Sequence, residues 1–225
     1  MKRLLTIAGS DSGGGAGIAA DLRTFAAYGC FGMVAITAVT AQDSRRVHGW
    51  WPVPADVVRA QIRAVLDDIG VDAVKVGMLG TADVAAAVAD ELAGLDVPVV
   101  VDPVCAATSG DALLTPEALD VLRERVIPLA TVVTPNRAEA ALLGELRAAH
   151  VVVTGSETAV DVLDGEAIVG ERVEGAHTHG TGCTFAAAVA ARLAYGDGVR
   201  DAVVSAKEFV ARAIARGEFG AVRQY

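Results

Sequence analysis

Short apolar runs alternate with helical spacings from one end of the chain to the other. Residues 4–8 form a run that stops at Gly9, the pattern of a buried strand. After a loop over 10–17, residues 18–28 set Leu22, Phe25 and Ala26 at helical spacing and end at Gly29, a helix stop. Residues 33–40 are a β-branched run. Pro54 then opens a helix whose apolar positions Val57, Val58, Ile62, Val65, Leu66 and Ile69 share one face, closed by Gly70. The alternation continues with a strand over 73–76, a helix over 82–92 and a strand over 97–101. A helix over 116–127 and a strand over 131–133 follow. Residues 151–154, 160–163 and 167–173 read as short strands with Asp164-Gly165 as a hairpin turn, and helices over 181–195 and 199–216 close the chain.

Strands without polar alternation, separated by amphipathic helices, predict an α/β fold whose mostly parallel sheet is covered on both faces. In such sheets ligands bind beyond the carboxyl ends of the strands, so the residues of interest should follow strands. No repeat, low-complexity tract or linker interrupts the pattern, and one domain over 1–225 is expected.

Composition narrows the partners. The hydrophobic share of 53% is too high for a disordered chain, and a net charge of −9 argues against nucleic acid, which wants a basic face. An anionic substrate held by backbone amides is still allowed. Cys30, Cys105 and Cys183 form no C-x-x-C motif, and Cys30 reads as a small buried hydrophobe. Only seven residues separate the opening Met-Lys-Arg from Asp11, too few for a signal peptide, and no run of 18 apolar residues offers a membrane span. A reduced, cytoplasmic protein with no membrane partner is expected. Trp50-Trp51-Pro52 is read as a packing or dimer contact.

Two stretches carry the chemistry. Between the first strand and helix, residues 9–17 hold five glycines in nine positions, which lets the backbone approach a ligand. Neither a dinucleotide fingerprint nor the Gly-Lys-Ser/Thr of a Walker loop is present. The second stretch, His179-Gly180-Thr181-Gly182-Cys183-Thr184, opens an Ala-rich helix, where unpaired amides and the helix dipole favour an anion. One such donor contributes ~3–4 kcal/mol to a transition state. The same field is expected to lower the Cys183 thiol below about 8.5. His177 and His179 would share one face of an extended segment, but no third ligand is spaced nearby, so no zinc is expected.

These stretches, with Ala20-Asp21-Leu22, residues 35–42, Val74-Lys75-Val76-Gly77-Met78-Leu79, Val101-Asp102-Pro103-Val104, Thr108-Ser109-Gly110-Asp111 and Thr134-Pro135-Asn136 with Glu139-Ala140, resemble the hydroxymethylpyrimidine/phosphomethylpyrimidine kinases of thiamine biosynthesis. The resemblance runs in order over almost the whole chain. It implies a ribokinase-like three-layer sandwich and a kinase using ATP and Mg²⁺, with a homodimer as the expected assembly. Gln42 would read the aminopyrimidine edge, with Gly9, Ala16, Met78 and Val104 lining the ring pocket. Asp21, placed in the first turn of its helix, would be a substrate contact or a dipole partner. Asn136, Glu139 and Thr154 would serve the nucleotide, and Glu139 with Asp102 would support Mg²⁺, through water. Gly180, Thr181 and Gly182 would form the anion hole, and Cys183 stands where sugar-kinase relatives place an aspartate base. A thiolate there could accept the hydroxymethyl proton or orient the hydroxyl.

The chain also departs from that family. After the short helix that follows Asn136 a further helical segment is missing, and Thr154-Gly155-Ser156 replaces the usual Lys-Gly-Gly. Cys105 stands for a Met and Thr108 for a Lys. Weakened ATP binding, with poor discrimination between ATP and GTP, is therefore expected. Two alternatives stand beside the leading one: a vitamin B6 kinase of the pyridoxal type, and a non-catalytic pyrimidine-binding relative.

Overall fold

The computed structural model describes residues 1–225 apart from 108, 156, 157, 174 and 176. Thr108 and Ser156, both singled out above, therefore lie outside the described residues. The chain builds β1 (Arg3–Ala8), α1 (Gly17–Ala27), β2 (Phe31–Ile36), β3 (Ala38–Gln42), β4 (Val47–Pro52), α2 (Ala55–Asp68), β5 (Ala73–Val76), α3 (Ala82–Leu92) and β6 (Val99–Val101). It continues with α4 (Pro116–Val121), β7 (Val132–Val133), α5 (Arg137–Leu143), β8 (His150–Val153), β9 (Val160–Leu163), β10 (Glu166–Val169), α6 (Thr181–Ala194) and α7 (Val199–Ala215).

Among the described residues eight strands form one sheet in the order β10-β9-β8-β7-β6-β5-β1-β2, parallel from β2 to β8 and antiparallel through β9 and β10. Helices α1, α6 and α7 cover one face, where Phe25, Val152 and Phe185 are buried. Helices α2, α3 and α4 cover the other over Leu5, Ile62, Val76 and Val88. Alanine fills α6 from Ala186 to Ala191 apart from Val189, so this helix lies close against the sheet with most of its circumference buried. Side chains start the helices where the sequence places them: Thr81 caps α3 and Thr115 caps α4. Asp164 and Gly165 both take positive φ, as a tight hairpin turn requires.

Three expectations change. The run 33–40 is two strands: β2 ends at Ile36, and β3 leaves the sheet to pair with β4 in a separate two-stranded flap. Buried Thr37 makes the turn, its amide donating to Ala8 and its hydroxyl to the Met78 carbonyl. Periodicity cannot register a strand that changes partners. The two tryptophans lie in β4, which the hydrophobic pattern had not marked, and face opposite ways. Trp50 packs with Ala38, Met78 and Leu113 and donates its indole N–H to Ala112, whereas Trp51 is 60% exposed. The helix over 116–127 keeps α-form only to Val121, then widens over Leu122–Val126 and tightens over Ile127–Leu129 at Pro128.

Candidate active site

The carboxyl ends of β1, β5, β6, β7 and β8 open into one cavity of about 730 Å³, closed over by the flap and the start of α6. Of the residues singled out from sequence, Gly9, Ala16, Gln42, Met78, Asp102, Val104, Asn136, Glu139, Thr154, Gly180, Thr181, Gly182 and Cys183 all line it. Asp21 does not. It lies in the second turn of α1, fully buried, and takes hydrogen bonds from the Lys75 ammonium at 3.0 Å and the Thr6 hydroxyl at 2.6 Å. Neither a substrate contact nor a partner of the helix dipole at its first turn, Asp21 is the counter-ion of a buried lysine.

The glycine-rich loop is organised by Asp11. Its two carboxylate oxygens accept the amides of Gly13, Gly15 and Ala16 at 2.8–2.9 Å. Against the cost of burial, His179 and the amides of Ala16 and Gly13 hold the Asp11 carboxyl below its ordinary range. Opposite it, the start of α6 turns on Gly180, whose φ of 85° belongs to glycine. A side chain there would also meet the Gly15 carbonyl, so the two glycine-bearing loops interlock. The first amides of α6 beyond Gly180 face the cavity end of the helix, where its dipole is positive.

Beneath this helix start lies a buried charge cluster. Lys75 projects from β5 with no exposed surface, 3.0 Å from Asp21 and 4.0 Å from Asp102. Burial opposes its charge, but the neighbouring carboxylates outweigh that and raise its pKa. The Cys183 thiol lies beside Asp102 and Lys75. Burial, with Asp102 and Asp21 nearby, pushes that thiol up to about 12 despite Lys75. This reverses the expectation of a lowered thiol: withdrawal from water and adjacent carboxylates exceed the helix field.

Asn136 and Glu139 form a capping box at the start of α5. The Asn136 carboxamide oxygen accepts the Glu139 amide at 2.9 Å, and the Glu139 carboxylate accepts the Asn136 amide at 2.9 Å. The motif thus fixes Glu139 at the cavity wall. Burial and Asp102 raise Glu139 to about 7, and burial raises Asp102 to about 6. Two buried carboxylates at one cavity wall, one of them raised by the other, are a donor set suited to a hard divalent cation, which takes carboxylate oxygens together with water and phosphate. The residues fit Mg²⁺.

Farther along the cavity the wall comes from Glu171, Arg172, Val173 and from Val210, Ala211 and Ile214 of α7. Lys207 bridges to Asp161 at 2.7 Å, and Asp161 accepts the Gly155 amide. The shortened segment lies elsewhere. Residues 144–149 join α5 to the amino end of β8, the opposite edge of the sheet from the cavity, and none of them lines it. The expected loss of walls around a nucleotide base therefore does not follow from the shortening.

Sequence reasoning assigned no role to Asp11, Lys75, His179, Asp161 or Lys207. A lysine inside the four-residue apolar strand 73–76 is a signal that could have been used. The others acquire their partners only by tertiary contact. His177 and His179 also part ways: His177 accepts the Gly220 amide, while His179 turns toward Asp11 and Gln42.

Solved structures that share this shape include kinases of small molecules. The pyridoxal kinase of Bacillus subtilis, seen with ADP, superposes with a TM-score of 0.86 at 42% identity, covering 95% of this chain and 92% of that one. The pyridoxal kinase of Staphylococcus aureus in complex with pyridoxal gives 0.87 at 36% identity, covering 100% and 93%. The fold and its cavity therefore define a ribokinase-like small-molecule kinase. Within that class the sequence is more specific. The model of the phosphomethylpyrimidine kinase family matches residues 11–152 and 143–223, and the hydroxymethylpyrimidine/phosphomethylpyrimidine kinase of Streptomyces coelicolor is 50% identical over 239 residues, covering 95% of this chain and 89% of that one. The chain belongs to the phosphomethylpyrimidine kinase family. Those 239 aligned positions exceed the about 214 that this chain supplies, and the family match breaks within 143–152, where the connection to β8 is short.

Proposed function

We propose that the protein transfers a phosphoryl group from ATP to the hydroxymethyl oxygen of 4-amino-5-hydroxymethyl-2-methylpyrimidine, and then a second one to the resulting monophosphate. The observation that carries this reading is a single cavity holding a ring-sized end at Gly9, Gln42, Met78 and Val104, an amide-lined helix start, and a carboxylate pair. Gln42 supplies the polar contact to the ring edge, and Met78 and Val104 supply apolar cover. The substrate oxygen forms its bond to phosphorus as the bond from phosphorus to ADP breaks. The amides at Gly180–Cys183 stabilise charge on the transferring group, which is the main demand of a loose transition state. Cys183, neutral at pH 7, orients the hydroxyl, whose proton leaves late, as the bond to phosphorus forms, to a phosphoryl oxygen or water.

Asp102 and Glu139 would hold Mg²⁺ together with water, where its charge offsets that of the phosphates. Val210, Ala211 and Ile214 would face the nucleotide base. The three unpaired cysteines suit a reducing, cytoplasmic setting. Among the described residues no helix is long and apolar enough to cross a membrane. Val39 and Trp51 pair across the flap with both side chains more than half exposed, and this face is where we place a homodimer contact.

Release of ADP with the aminopyrimidine as acceptor tests the reading. Turnover is expected with Mg²⁺ and is abolished when the ion is chelated. Steady release of ADP in the presence of chelator would remove Asp102 and Glu139 from the proposed role.

A further inference from the structure

His179 precedes the anion hole, yet its side chain serves the other end of the cavity. Its Nε2 lies 2.8 Å from the buried Asp11 carboxylate and 3.1 Å from the Gln42 side-chain nitrogen. Asp11 is an acceptor already surrounded by three amide donors, so the hydrogen on this His179 nitrogen points to Asp11. A ring nitrogen that carries its hydrogen has no lone pair left. The Gln42 amino group beside it is then a donor facing a donor, and turning the carboxamide about its last bond makes its oxygen the second acceptor of that same hydrogen, a three-centre contact. The histidine itself is held firmly. A β-carbon on Gly15 would stand 2.4 Å from its Cδ2, and its backbone bonds Gly220 and Val222 on either side.

We propose that His179 is a specificity-determining positioning residue: by donating to Asp11 it fixes the Gln42 carboxamide with oxygen toward His179 and NH₂ toward the cavity, so that this edge of the pocket selects a ring bearing an acceptor nitrogen. This rests on the reading of Gln42 as the ring contact. The register of the ring follows, with its bare nitrogen opposite the amino group of Gln42. A C–H or N–H at that ring position leaves a buried donor unpaired or opposes it with another donor.

Calorimetric titration of the aminopyrimidine and of its deaza analogue, in which that ring nitrogen is replaced by C–H, tests this directly. The intact protein is expected to prefer the ring nitrogen by about 10- to 100-fold, the scale of one buried polar contact. In His179→Leu the preference should fall to within about threefold, because both carboxamide orientations become available. His179→Gln retains a donor for Asp11 and should keep most of the preference. A purely structural role would weaken both compounds together and leave their ratio unchanged. His179→Leu with the ratio of the parent would overturn the proposal. Gln42→Leu with that ratio would instead overturn the placement of the ring.

Discussion

Cys183 sits where the helix field and burial pull a thiol in opposite directions, and burial prevails. A thiol at about 12 is no reservoir of thiolate at neutral pH, so the role proposed for it is to orient the substrate hydroxyl. Cys183→Ala is expected to lower kcat by about 10²-fold, the scale of a misplaced reacting group, with pyrimidine affinity little changed. Single-turnover kinetics beside calorimetry separates the two quantities, and unchanged turnover would leave the backbone amides as the acting groups. Gln42 lies at the other end of the cavity and should show the opposite division. Gln42→Leu is expected to weaken aminopyrimidine binding by ~1–3 kcal/mol, read by titration, because polar groups of the ring lose their partner.

Among the elements, the start of α6 is the most sensitive. Gly180 and Gly182 are both small residues in the proposed anion hole, but their surroundings differ. A β-carbon on Gly180 would collide with the Gly15 carbonyl at a φ that other residues avoid, whereas one on Gly182 meets only Asp102, at 3.9 Å. Gly180→Ala should therefore lower both Tm and activity, while Gly182→Ala should fold with a Tm near that of the parent and lose turnover through crowding of the phosphoryl site. Equal Tm values for the two variants would contradict this geometry. The glycines of both loops were legible in the sequence because a glycine cluster between strand and helix has a physical cause. Strands and helices that alternate in the parallel sheet were legible for the same kind of reason: β1, β5 and β9 were located to the residue, except that β1 begins one residue earlier. What periodicity could not show was partner choice. The bend at Thr37, the pairing of β3 with β4 and the burial of Asp21 against Lys75 all depend on contacts between distant segments.

At the scale of the whole molecule, the sheet is unevenly covered. On the side of β8 and β9 away from α6 and α7, Val151, Val153, Val160 and Val162 are only half-buried, and Val169 in β10 is 75% exposed. The short connection from α5 to β8 opens beside these strands, remote from the cavity. Grafting the additional positions of the Streptomyces relative between 144 and 149 is expected to raise Tm by covering apolar surface. The same graft should leave the KM for ATP within about twofold, since the wall proposed to face the base comes from α7. A tenfold fall in that KM would show that the shortened segment shapes nucleotide binding after all.

The same cavity must accept a pyrimidine alcohol first and its phosphate second, and this is the central claim. Phosphorus NMR of one reaction containing the purified protein, ATP, Mg²⁺ and the hydroxymethylpyrimidine follows both steps at once. A monophosphate signal is expected to rise and then give way to a diphosphate, with pyridoxal in a parallel reaction phosphorylated more slowly. Pyridoxal phosphorylated rapidly while the pyrimidine stays untouched would contradict it.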